Sequence, residues 1–163
     1  MMLEVWPANS SVHWRLVTDA VMGGVSRGTI DEETLHGRKA IRMRGEVSTE
    51  NNGGFLQITL DFDPKTDSFD ASSFTGTEID VLGNHQNYSA HLRTAELSRP
   101  QQSYRQGFVT TPTWQTIQLP FAQFLPYRTD IPMNIARLRR IGLVAIGREF
   151  TADLAVARLT FYY

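Results

Sequence analysis

The stretch TDAVMGGVSRG, residues 18–28, decides which fold the chain can have. It contains Gly24-Val25-Ser26-Arg27-Gly28, which fits the G-x-S-x-G pattern of a hydrolase nucleophile elbow. Such an elbow needs a buried strand before the serine and a helix after it. The segment after Gly28 is TIDEETLHG, residues 29–37, too polar and too short for that helix. A phosphate loop fails as well, because there is no Gly-Lys-Ser/Thr and no G-x-G-x-x-G spacing. The reading that remains is a turn between strands. Thr18, Asp19 and Ser26 are then expected to bond to nearby backbone. Gly23 and Gly24 allow positive φ and close approach of another segment. The expected neighbour is the second glycine turn, Gly53-Gly54-Phe55.

Outward from this turn, period-two segments dominate. They are 13–17, 28–30, 39–48, 54–62, 76–83, 88–94, 104–111, 114–121, 139–146 and 153–163. Gly-Gly, Asp-Pro, Gly-Asn, Arg-Pro and Thr-Pro pairs separate them. About ten short strands at this spacing predict an all-β sandwich, of the jelly-roll kind. Short helical turns are expected near 120–126 and 133–138. No linker or repeat divides the chain, so residues 1–163 read as one domain.

Alternation sorts the faces. Tyr88, Ala90 and Leu92 oppose Ser89, His91 and Arg93. Ile79 and Val81 oppose Glu78 and Asp80, and Ile41, Met43 and Val47 oppose Arg42, Arg44 and Glu46. Ile117 and Leu119 oppose Trp114, Thr116 and Gln118. If these strands were neighbours, their polar faces would form one surface with Arg44, Glu78, His91, Arg93 and Trp114 upon it. The plainer account is a wetted sheet face.

Composition narrows the function classes. The net charge is −1, with 14 Arg against 2 Lys, so no global field draws nucleic acid or an anionic membrane. The RLRR cluster at 137–140 has no interleaved aromatic and reads as a solvated strand edge. No cysteine is present, which removes thiolate nucleophiles, disulfides and thiolate-held clusters. His13, His36, His85 and His91 are scattered without metal-ligand spacing, so no metal or cofactor is expected on side chains. Calcium on loop carbonyls leaves no mark in a sequence. A two-carboxylate hydrolase needs its acids across a cleft, whereas Glu78 and Asp80 share one strand face, and Arg93 or Arg44 is expected to neutralise them in a salt-bridged ladder. Ser26, Asp80 and His91 fall in a formal triad order, but no rule of a sandwich brings them together. No secretory signal opens the chain and no apolar run reaches membrane-spanning length, so a cytoplasmic protein is expected, without membrane insertion.

Five segments carry a family resemblance: WRLVTDAVMGGVS (14–26), GEVSTENNGGFLQI (45–58), YSAHLRT (88–94), YRQGFVTTPTWQTIQLPFAQFLP (104–126) and RRIGLVAIGREFTADLAVARL (139–159). In this order and spacing they resemble the complex I intermediate-associated protein 30 family. The resemblance implies a galactose-binding-domain-like jelly-roll sandwich. It also implies an assembly factor for a respiratory complex, a chaperone and not a catalyst. Related domains are fused to nucleotide-binding reductase-like domains in photosynthetic organisms. This chain is expected to be a bacterial stand-alone member.

Two functions then compete. A scaffold for a protein partner would show an exposed patch around Met22, Tyr104 and Trp114. A carbohydrate or other small-ligand module would use Trp114 as a platform, with Arg44, Glu78, His91 and Arg93 for hydroxyl groups. In either case Asp19, Gly23, Gly24 and Ser26 shape the adjoining loop, and no catalytic residue is expected.

Overall fold

The last strand organises the molecule. The structure is a computed structural model, describing residues 2–163 apart from the Asn52 side chain. Twelve strands form two antiparallel sheets. They are β1 (Met2–Trp6), β2 (Arg15–Thr18), β3 (Arg27–Leu35), β4 (Arg38–Val47), β5 (Phe55–Asp61) and β6 (Gly76–Leu82). Next come β7 (Asn87–Thr94), β8 (Ser103–Val109), β9 (Gln115–Pro120), β10 (Leu125–Tyr127), β11 (Leu138–Ile146) and β12 (Phe150–Tyr162). The first sheet runs β3-β4-β12-β6-β9, with β1 also on β12; the second runs β10-β8-β7-β11-β5-β2. This is a jelly-roll-like β-sandwich, as the alternation predicts.

β12 is long because it serves several partners. Its N-terminal part pairs with β4, its C-terminal part with β1, and β6 lies along most of it. In VARLTF, residues 156–161, Val156, Leu159 and Phe161 are all buried although strict alternation would turn one of them outward. A bulge between Val156 and Arg158 absorbs the odd residue. A second bulge, between Leu138 and Arg140, lets Leu138 and Ile141 both face inward. The core lies between the sheets. Leu56, Ile58, Leu60, Ile141 and Leu143 meet Met43, Ile79, Leu154, Val156 and Leu159, all fully buried. Each such side chain contributes about 1.5–3 kcal/mol of burial. One end is closed by rings around Phe161: Phe62 and Phe69 at 5.1 Å and Phe74 at 5.3 Å.

The first sheet's outer face carries a buried charge network. Arg158, re-aimed by its bulge, donates to Glu78 at 2.7 Å and to Asp80 at 2.9 Å. Arg38 and Thr116 also donate to Asp80, and Gln118 to Glu78. The acid ladder is therefore salt-bridged as expected, but by Arg158 and Arg38, not by Arg93 or Arg44. Alternation shows which face a residue occupies and nothing about which strand lies beside it. Burial works against ionisation of Asp80, yet Arg158, Thr116 and Arg38 outweigh it and hold its carboxyl down at about 2.

Other expectations shift. Residues 125–127 pair with β8, so the turn expected over 120–126 shrinks to a 3₁₀ turn at Phe121–Gln123. The polar run 31–35 continues β3, because its backbone bonds to β4 on an edge where charges are tolerated. RLRR is no solvated edge: Arg140 lies within β11, between β7 and β5.

Arg158→Met should lower stability by about 3 kcal/mol, because two buried carboxylates lose their shared cation; urea unfolding at pH 7 checks this. The depressed Asp80 pKa gives a second test. Its stabilisation is complete above about pH 4, the unfolded-state range, and is lost as pH falls toward 2. The melting temperature should therefore hold from pH 8 to about pH 5 and fall below that, with a flatter acid limb in Asp80→Asn.

Candidate functional site: a groove over the second sheet

The turn that opened the sequence builds one wall of a groove. A 3₁₀ turn covers Asp19–Met22, with the Thr18 hydroxyl accepting from the Ala20 N–H. Asp19 is fully buried. Its Oδ1 accepts from the Ser26 N–H at 3.0 Å. Its Oδ2 accepts from the Ser26 hydroxyl at 2.5 Å and from the N–H groups of Gly54 at 2.6 Å and Phe55 at 3.2 Å. The Ser26 hydroxyl in turn accepts from the Ser48 N–H. Burial raises the energy of the ionised Asp19, but Ser26, Gly54 and Phe55 outweigh it and hold the carboxyl below its ordinary value. Gly53-Gly54-Phe55 is thus the neighbour expected from sequence. Gly23 has φ 85° and open space about it, whereas a side chain on Gly24 would overlap the Asp19 carboxylate. Ser26 serves this turn: its hydroxyl engages Asp19 and Ser48, and His91 belongs to β7, which β11 and β5 separate from β2.

The groove, of about 880 Å³, lies on the outer face of the second sheet. Register sets its floor in rows. One row runs Arg105, His91, Gly142, Thr59 across β8, β7, β11 and β5. The next runs Gly107, Ser89, Val144, Gln57, Val17. Gly142, without a side chain, keeps the centre of the floor low. Beside it, His91 Nε2 and Thr59 Oγ1 are buried polar atoms with no protein partner among the described residues. Burial and the Arg105 charge push the His91 imidazole down to about 3, so it is neutral at ordinary pH.

Four arginines and no Asp or Glu line the groove: Arg93, Arg105, Arg128 and Arg140. Arg140 is neutralised by Asp61 at 2.6 Å. Arg93 donates to the carbonyls of Arg99 and Gln102, at 2.8 and 2.6 Å, which holds the 97–102 loop as a second wall. Arg105 donates to Ser103 and lies 3.5 Å from the centre of the Tyr127 ring. Neither Arg93 nor Arg105 has a carboxylate partner among the described residues. Burial, with like charges nearby, lowers both guanidinium groups from their ordinary value. Val21 and Met22 stand at the rim, 77% and 55% exposed.

The sequence candidates therefore divide. Met22, His91 and Arg93 line the groove, and Asp19, Gly23, Gly24 and Ser26 shape its wall. Arg44, Glu78 and Trp114 lie on the other sheet, so the single polar face does not exist. Glu78 serves Arg158, Arg44 pairs with Glu33, and Trp114 donates to the Leu35 carbonyl under Arg38. Tyr104 is no exposed patch residue: it is 1% exposed and donates to the Ile131 carbonyl at 2.6 Å. Arg105, Tyr127, Gln57, Thr59 and Gly142 were missed. The alternation Leu56, Ile58, Leu60 against Gln57, Thr59, Asp61 was legible, but strand order was not.

Residues 3–156 match the family of complex I intermediate-associated protein 30, and the chain belongs to it. No curated protein matches it in sequence. Among solved structures it is similar to a family 11 carbohydrate-binding module from Clostridium thermocellum in complex with a β-1,3-1,4-mixed-linked tetrasaccharide. That match has a TM-score of 0.72 and 10% identity, and covers 99% of this chain and 94% of that one. It is also similar to the family 30 carbohydrate-binding module of a cellulosomal cellulase of Clostridium thermocellum. There the TM-score is 0.70 and the identity 11%, covering 99% of this chain and 96% of that one. At this identity the likeness shows the β-sandwich fold. No helix among the described residues is long and apolar enough to cross a membrane.

Asp19→Asn should cost about 3 kcal/mol, since an amide offers one acceptor oxygen where two received four donors. Gly24→Ala should destabilise more than Gly23→Ala, for which the positive φ costs only about 1–2 kcal/mol. Urea midpoints of the three variants check both statements.

Proposed function

We propose that this is a non-catalytic binding protein that holds a protein partner in the groove over the second sheet, as an assembly factor does. The observation that carries the reading is the groove itself, walled by two side-chain-clamped loops and edged by the exposed Val21 and Met22. Membership of a family named for association with a complex I intermediate supports a protein as partner. Ser26 and the Glu78/Asp80 pair, the footing for catalysis in the sequence, are bound up in structural hydrogen bonds and ion pairs. The second reading, a carbohydrate in the same groove, draws on the fold shared with carbohydrate-binding modules. Against it, the Tyr127 ring is occupied by Arg105, and Trp114 is on the other sheet. A sugar ring needs a free aromatic face.

Photo-crosslinking side chains at Val21, Met22 and Gln101 should capture one and the same membrane-complex subunit or intermediate in cells, whereas a crosslinker at Trp114 should not. Adducts from Trp114 alone would overturn the placement. Heat on titration with a mixed-linked β-glucan tetrasaccharide, lost in Gln57→Ala, would favour the carbohydrate instead.

A further inference from the structure

The groove is polarised diagonally, along the strands and from the β2 side to the β8 side. At one end of β11, Ile146 and Val144 lie near Val17 and Phe55, below the rim residues Val21 and Met22. Toward the other end lie Arg140 and Arg93, while Arg105 stands level with Gly142 on β8, on the side away from Val17, with Arg128 beyond Tyr127. Arg140 and Ile146 are separated by six residues of strand, about 20 Å at 3.3–3.4 Å per residue. The outer face of the first sheet is different in kind. There Arg158, Arg38, Arg42 and Arg44 each face a carboxylate within 4 Å. The chain as a whole carries a net charge of −1. The lining of the groove, with four arginines and no Asp or Glu, thus has a cationic excess that the chain as a whole lacks.

From this charge pattern we infer that the occupant of the groove is an extended protein segment with apolar side chains at one end and Asp or Glu side chains at the other. The inference rests on the binding reading above and states the chemistry of the partner. The carboxylates meet Arg105 and Arg128, whose charges face no acid among the described residues. The apolar end meets Val17, Val144, Val21 and Met22. Two features select a peptide over a glycan. Arg105 lies over the Tyr127 ring, where a sugar would stack. The apolar end offers aliphatic and thioether side chains, which suit aliphatic residues. Arg105 is held in place by Ser103 and by the ring, so its guanidinium is aimed before a ligand arrives.

The test is fluorescence anisotropy with a labelled peptide of about ten residues, long enough to cover the groove at strand rise. Leu and Val occupy one end and Asp and Glu the other. A counterpart with Lys for each acid, a galacturonate oligomer and the mixed-linked tetrasaccharide are run beside it. The acidic peptide should bind and the basic one should not. Arg105→Gln and the exposed Arg128→Gln should each weaken binding by about tenfold, as for loss of a charge-assisted contact. Arg105→Lys should restore part of it, and raised salt should weaken it. Val21→Ser/Met22→Ser should weaken it severalfold without altering the salt dependence. Melting temperatures of the variants keep unfolding apart from lost contact. Binding of the galacturonate but not the peptide overturns the peptide as occupant. Equal binding of the acidic and basic peptides overturns the charge assignment. If no probe binds while the Val21 and Met22 crosslinks to a partner persist, the acidic class fails and the binding reading stands. Loss of both overturns both.

Discussion

A single buried carboxylate holds the edge of the groove together. Asp19 accepts four hydrogen bonds, from Ser26 and from the backbone of Gly54 and Phe55. A buried charge without partners is strongly unfavourable, so the donors are obligatory. Their arrangement makes the turn after β2 and the turn before β5 one unit. The same carboxylate fills the space beside Gly24 and Gly53, which is why those positions have no side chain. Val21 and Met22 then project at the rim because the turn beneath them is tied down. The exposed apolar pair is a consequence of the buried polar one.

Two bulges do comparable work within the sheets. Each lets an inward position repeat after three residues instead of two, so the core stays filled. Each also sets the register of a cation. The bulge in β12 sends Arg158 to Glu78 and Asp80; the bulge in β11 sets Arg140 opposite Arg93 and Asp61. The outcome differs between the faces. On the first sheet Arg38, Arg42, Arg44 and Arg158 each meet a carboxylate. On the second, Arg93 is satisfied by carbonyls and Arg105 by a hydroxyl and a ring, so positive charge is left facing the groove.

Much of this was legible beforehand. The alternation of Tyr88, Ala90 and Leu92 against Ser89, His91 and Arg93 gives the correct faces, because side chains in a strand point to opposite sides whatever lies beside it. Failure of an α-helix after Gly28 excluded the elbow, and two adjacent glycine turns suggested each other as neighbours. Illegible were the odd-numbered spacings in 138–141 and 156–159, which look like broken alternation until a bulge explains them. Tyr104 illustrates the remaining gap. Its ring reads as a surface aromatic, but the fold buries it and brings Ile131 to its hydroxyl.

The sequence by itself determined the class of fold, the family, the turn built on Asp19 and Ser26, and the inward and outward set of most strands. These rest on local geometry, on spacing and on residue type. Only the tertiary structure decided that β7 sits beside β11 and β8 while β4, β6 and β9 belong to the opposite sheet. That choice separates His91 and Arg93 from Arg44, Glu78 and Trp114, and it places Arg105, Gly142 and Thr59 in one row. Strand pairing joins residues far apart in the chain through backbone hydrogen bonds that every residue can make. The identity of the neighbour is therefore set by how the whole core packs, and the composition of the groove is set with it.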